Sequence, residues 1–129
     1  MSDVNNKQIG GDHYRAPIQH WDFVEYNGIG YVEGCASKYA TRNRKKHESP
    51  KLDLEKAIHY LEKAIALNLS GVKKPRTGPL VIRVEDYAQA NDLTPAETKI
   101  IDIVANWKDA GDLQEGIEVI QQMLAEVEG

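Results

Sequence analysis

The stretch from Tyr31 to Leu69, YVEGCASKYATRNRKKHESPKLDLEKAIHYLEKAIALNL, decides the fold. Val32, Ala36, Tyr39 and Asn43 recur at helical spacing, so one face of the first segment is built to pack. Lys38, Arg42 and Lys45 recur at i, i+4 and i+7 on an adjacent face, which makes that face cationic. The sequence HESPK then interrupts the pattern at Pro50, since proline removes a donor and clashes inside a helix. Beyond it, Leu54, Ala57, Ile58, Leu61, Ile65 and Leu69 line one side of a second helix, with Asp53 read as its cap. Two amphipathic segments joined by a short break predict an antiparallel helical hairpin.

On the N-terminal side, IQHWDFVEYNG after Pro17 reads as a short helix, stopped at Asn27-Gly28 by a residue able to take a left-handed conformation. Residues 1–12 are polar and Gly-containing and read as an arm, with order expected from His13 onward. On the C-terminal side, residues 70–80 are dense in Gly, Pro and cations and read as a linker, and residues 80–84, LVIRV, read as a short strand or extended arm. A short helix is predicted over Glu85–Asn91. Thr94-Pro95-Ala96-Glu97 carries the capping-box pattern, with proline at the first helical position, and starts a helix expected to reach about Lys108. After a break at Ala110-Gly111, a last helix is expected from Asp112 through Leu113, Ile117, Ile120, Leu124 and Val127. The expected fold is mainly α: two helical hairpins with short extra helices and, near 80–84, either one short strand or an extended arm. Residues 13–69 form the core unit in this reading, and residues 81–129 a structural or oligomerising hairpin.

With 129 residues, 41% of them hydrophobic, the chain supports one modest core or two small units sharing one. Its net charge of -4 conceals a partition. Residues 36–76 hold 11 basic and 4 acidic side chains, whereas residues 77–129 hold 3 basic and 11 acidic. A positive middle on an acidic chain concentrates attraction for anions in one place, which favours a compact anionic ligand over a nucleic-acid track. Cys35 is the single cysteine, so no intramolecular disulfide can form, and a reducing cytoplasm is expected. The N-terminal residues lack the pattern of a secretory leader, and no membrane association is expected.

The chemistry-bearing candidates follow from the stripe. Lys38, Arg42, Lys45 and Lys46 are candidate phosphate donors, with Lys56 facing them from the second helix: Arg grips two oxygens at once, and Lys supplies a point charge. Tyr14, Trp21, Tyr39 and Tyr60 are candidate contacts to a base or sugar, since aromatic faces stack on nucleobases. Glu33 and His13 are the candidate catalytic groups, able to accept or shuttle a proton. A Walker-type loop, an HExxH motif and paired CxxC motifs are absent from the sequence. Clustered acids of the kind an all-helical pyrophosphohydrolase uses to hold magnesium are also missing from the first hairpin. No metal site or resident cofactor is therefore expected; the nucleotide itself is the ligand or substrate, and a magnesium requirement is left open.

Three segments taken in order, GGDHY, then PIQHWDFVEYNGIGYVEGCASKYATRNRKK, then DLEKAIHYL, resemble a family of small tailed-phage proteins whose characterised branch is a deoxynucleoside monophosphate kinase. The resemblance covers about residues 10–67. It matches the family's His-Tyr pair to His13-Tyr14, its Glu-Gly pair to Glu33-Gly34 and its Lys-Tyr pair to Lys38-Tyr39. The following basic positions match Arg42, Lys45 and Lys46, and the Asp-Leu-x-Lys-Ala element matches Asp53, Leu54, Lys56 and Ala57. Cys35 departs from the pattern, in which Asn is common. The resemblance implies a bacteriophage nucleotide-binding protein of the host cytoplasm, with non-Walker phosphotransfer to a nucleoside monophosphate as one activity. An anti-defence protein that sequesters a nucleotide second messenger would use the same residues without a base. A helical interaction protein with a basic surface is a third reading. A single hairpin is small for enclosing a nucleotide, so a homo-oligomer is expected.

Overall fold

A computed structural model describes residues 18–45 and 49–128. Six helices follow in order: α1 His20–Asn27, α2 Tyr31–Arg42, α3 Lys51–Leu69, α4 Val84–Ala90, α5 Pro95–Asn106 and α6 Ala110–Glu128. The α2–α3 and α5–α6 pairs are the two expected hairpins. They pack on each other, α3 against α6 and α2 against α5, and the short α4 lies against α5. The mainly helical reading holds.

One continuous core joins the halves. Ala36 and Ala40 of α2 and Ala57, Leu61 and Ala64 of α3 share it with Ile100, Ile101 and Val104 of α5 and Leu113, Ile117 and Ile120 of α6. Small side chains at buried positions let helix axes approach closely, and each fully buried Leu or Ile contributes about 1.5–3 kcal/mol. Phe23 from α1 and Tyr87 from α4 close one end, their rings stacked with centroids 4.4 Å apart.

The helix ends follow the local chemistry of the sequence. Gly28 takes φ +65 after α1, and its N–H and that of Ile29 return to the carbonyls of Glu25 and Val24, which is a Schellman stop. Thr94 and Glu97 form the expected reciprocal capping box at α5. Two boundaries differ from expectation. Asp53 is the third residue of α3, whose cap is Pro50, and its buried carboxylate meets Arg42 Nε at 3.3 Å. Ala110 and Gly111 lie within the first turn of α6, because Asp109 accepts from the Asp112 N–H at 3.0 Å and so caps the helix one turn earlier.

Residues 70–83 run between the hairpins as a fastened strap. The Arg76 guanidinium donates to the carbonyls of Asn27 (2.8 Å) and Ala105 (3.3 Å), near the carbonyl ends of α1 and α5. It also donates to the carbonyls of Gly78 and Pro79 within its own loop. Of the two readings for 80–84, a strand does not form, and the described residues contain no strand. The Val81 and Ile82 N–H groups instead donate to Asn27 Oδ1 at 2.8 and 2.9 Å, while Asn27 Nδ2 donates to the Ile82 carbonyl at 2.9 Å. A buried asparagine side chain thus replaces the partner strand.

Candidate functional site

The stripe on α2 and the polar side of α3 meet at the Tyr39 ring. Tyr39 stacks on Tyr60 with centroids 5.8 Å apart and planes 12° from parallel. Around the same ring stand Lys56 Nζ at 5.2 Å, the Arg42 guanidinium at 5.3 Å and Lys38 Nζ at 5.7 Å from its centroid. Lys38 and Arg42 are one turn apart on α2, as are Lys56 and Tyr60 on α3, so hairpin pairing alone brings the five together. Each cation over a ring gains about 0.5–1 kcal/mol when exposed, against mutual repulsion of three like charges. Asp53 offsets Arg42. Among the described residues, neither Lys38 nor Lys56 pairs with a carboxylate.

Just past Arg42, the described basic residues Arg44 and Lys45 turn away from Tyr39. α2 ends at Arg42, and the chain beyond it bends toward α5. Arg44 grips the fully buried Glu97 with two bonds, Nε to Oε2 at 2.7 Å and Nη2 to Oε1 at 3.0 Å, and also reaches the Asp92 carbonyl. Asn43 adds a bond to Glu97 Oε2 at 2.8 Å. Burial pushes the Glu97 carboxyl up, but the hydrogen bonds from Arg44, Thr94 and Asn43 outweigh it and hold the group below the ordinary carboxylate range. Lys45 lies beside this pair rather than beside Tyr39. Lys45 is exposed, but desolvation of its ammonium by neighbouring atoms and the adjacent Arg44 charge hold it below the ordinary lysine range, against the opposing pull of Glu97 and Asp92. Among the described residues, the cations gathered at Tyr39 are therefore Lys38 and Arg42 of α2 and Lys56 of α3.

Glu33 stands on the opposite side of α2 from Lys38 and Arg42, by its helical position. It is buried, with Oε1 facing Lys73 Nζ of the strap at 2.8 Å and Oε2 accepting from the Trp107 indole N–H at 3.2 Å. Oε1 receives no well-directed hydrogen bond, so Lys73 acts on it as a charge. This close approach explains Gly30: a Cβ there would sit 2.6 Å from Lys73 Nζ and 2.7 Å from Glu33 Oε1. The structure thus separates Glu33 from the cations around Tyr39. Trp21 is exposed on α1. His13, Tyr14 and Lys46 lie outside the described residues.

A second polar group, not foreseen from the sequence, lies between α1, α2 and α4. His20 Nε2 meets Ser37 Oγ at 2.7 Å, and that hydroxyl donates to the Gly34 carbonyl. With its one proton so placed, Ser37 accepts, and Nε2 carries the ring proton. Burial and the nearby Lys38 charge lower the His20 pKa to about 4, against a smaller opposing effect of the Gly34 carbonyl. The ring is neutral near pH 7. Thr41 donates to the Ser37 carbonyl and so accepts from the Tyr87 hydroxyl at 2.9 Å. Ser37 is fully buried and its proton is committed, which makes this a packing network and not a nucleophile with its base.

Elsewhere, a shallow cavity of about 550 Å³ lies between α4 and α5, lined by Val84, Leu93, Pro95 and Thr98 with Glu85, Asp102 and Lys99 at its edge. Its charge is mainly acidic, unsuited to an anion. Among the described residues no three His, Cys, Asp or Glu side chains gather as metal ligands, and no helix is long and apolar enough to cross a membrane. Compared with protein-family models, curated proteins and solved structures, the chain matches none.

Proposed function

We propose that the face formed by Lys38, Arg42, Lys56, Tyr39 and Tyr60 binds a phosphorylated nucleotide. The observation that carries this reading is the gathering of three cations from two helices around one aromatic ring, with Asp53 as the carboxylate paired to Arg42. Like charges held this close favour a multivalent anion, whose oxygens accept from all three and relieve their repulsion. The resemblance to tailed-phage nucleotide proteins supports the same ligand class. In this reading the chain is a phage protein of the host cytoplasm and works as a homo-oligomer, since an open face needs a second surface to enclose a nucleotide.

Binding without turnover is the version that the geometry favours. The Glu33 carboxylate, the described candidate for a base, is engaged by Lys73 and Trp107 on the far side of α2. A sequestering role needs only the cations and an aromatic surface. The phosphotransfer reading rests on the family resemblance, with Lys38, Arg42 and Lys56 as charge-neutralising positions for a transferred phosphoryl group.

Two measurements test the proposal. Titration calorimetry with dTMP and dGMP should give saturable binding that Arg42→Ala and Lys56→Ala each weaken at least tenfold, with unchanged helical circular dichroism. Unchanged affinity in both variants would remove the site assignment. Incubation of the protein with either monophosphate and a nucleoside triphosphate should return both intact; diphosphate product would establish the phosphotransfer reading instead.

A further inference from the structure

Resting on the nucleotide reading above, we infer that Tyr31 provides the surface on which the base stacks, while Tyr39 serves to hold the cations. Tyr31, Cys35, Lys38 and Arg42 stand at i, i+4, i+7 and i+11 on α2, a single stripe along the helix. Tyr31 is its first residue and is 78% exposed, far more than an aromatic ring favours without a partner. Tyr39 is half-buried and already occupied, with Tyr60 stacked on it and three cations around it. A base would have to displace those contacts. Among the described residues, Tyr31 has no such stacked ring or cation over it.

The stripe also has the right length and continuity. Seven residues separate Tyr31 from Lys38, about 10 Å along the helix axis. That separation suits a ligand with an aromatic group at one end and phosphate at the other, and exceeds the span of a bare phosphate. Cys35 fills the interval on the same stripe of α2 and is partly buried. The ligand would run from Tyr31, across Cys35, to Lys38, Arg42 and Lys56. Its class is a nucleoside phosphate, held by stacking at one end and by charge at the other.

The test compares ligands with and without a base. The full chain, Tyr31→Ala and Tyr31→Phe are titrated with dGMP, dTMP and pyrophosphate. Stacking of one base is worth about 1–3 kcal/mol, so Tyr31→Ala should weaken the tighter-binding mononucleotide roughly tenfold or more. Pyrophosphate affinity should stay within about twofold, and Tyr31→Phe should bind like the parent. If the parent binds a mononucleotide and Tyr31→Ala binds it equally well, the stacking role is overturned and the cation site stands. An equal loss for mononucleotide and pyrophosphate, with intact circular dichroism, also overturns it, because Tyr31 would then be placing the cations. If the parent binds neither mononucleotide nor pyrophosphate, both this inference and the nucleotide reading fall.

Discussion

Glu97→Gln tests the structural role of Arg44, the arginine that points away from Tyr39. In the parent, Glu97 Oε1 accepts from the Thr94 N–H at 2.9 Å and Arg44 Nη2 at 3.0 Å, and Oε2 accepts from Arg44 Nε at 2.7 Å and Asn43 Nδ2 at 2.8 Å. Glutamine has the same shape but turns one acceptor into a donor. Whichever oxygen becomes the amide nitrogen, one Arg44 bond and one bond from Thr94 or Asn43 are lost. Arg44 is 43% exposed and recovers water, so its share is discounted for screening. The Asn43 or Thr94 donor recovers less, at about 1–3 kcal/mol for a buried group left unpaired. With the lost charge, the expected destabilisation is about 2–3 kcal/mol, or a fall in Tm of roughly 10 °C for a chain of this size. Urea unfolding followed by circular dichroism measures it. Because the Glu97 carboxyl is held below its ordinary range, its contribution is present above the unfolded value of about 4.5 and is lost as pH falls through the depressed folded value. The gap between parent and variant should therefore close in acid. A difference under about 0.5 kcal/mol at pH 7, or one that persists unchanged in acid, would refute the account of this pair.

Two further outcomes concern stability. His20 is held near pKa 4 against an ordinary 6.5, so below pH 6.5 the unfolded chain takes up a proton that the folded chain refuses. Stability should fall by about 3 kcal/mol between pH 6.5 and 4 from this group, and His20→Gln should flatten that part of the curve; parallel curves would refute it. Asn27→Ala removes the side chain that pairs with Val81 and Ile82, at a cost of about 2–3 kcal/mol. Amide exchange at those two residues should accelerate beyond the global change, and equal protection would show that the strap is held by other contacts.

Much of the fold was legible because it depends on local rules. The apolar period of α3, the Gly28 stop and the Thr94–Glu97 box each act within a few residues, and each appears where the sequence places it. Of the two readings of 80–84, the strand does not form: LVIRV has β character, but the group that satisfies its N–H donors, Asn27, lies more than fifty residues earlier. The cationic face was legible in part. Lys38, Arg42 and Lys56 lie on regular helices, so spacing alone relates them. Lys45 lies past the end of α2, where helical periodicity no longer applies. Arg44 gave no sequence signal of its role, since its partner Glu97 already had a local explanation as a capping residue. Glu33 looked like a candidate base for a similar reason: the strap lysine that engages it is forty residues away.

The crowding of Lys38, Arg42 and Lys56 around Tyr39 bears on the entropy of association. Free lysine and arginine side chains sample many rotamers, and fixing each on an incoming ligand costs about 0.5–1.5 kcal/mol. A ring that already restrains three such chains moves that loss from the binding step to the folding step. In the proposed binding role, the helical hairpin would present its donors pre-organised, on a surface whose ordering was completed when α2 and α3 packed.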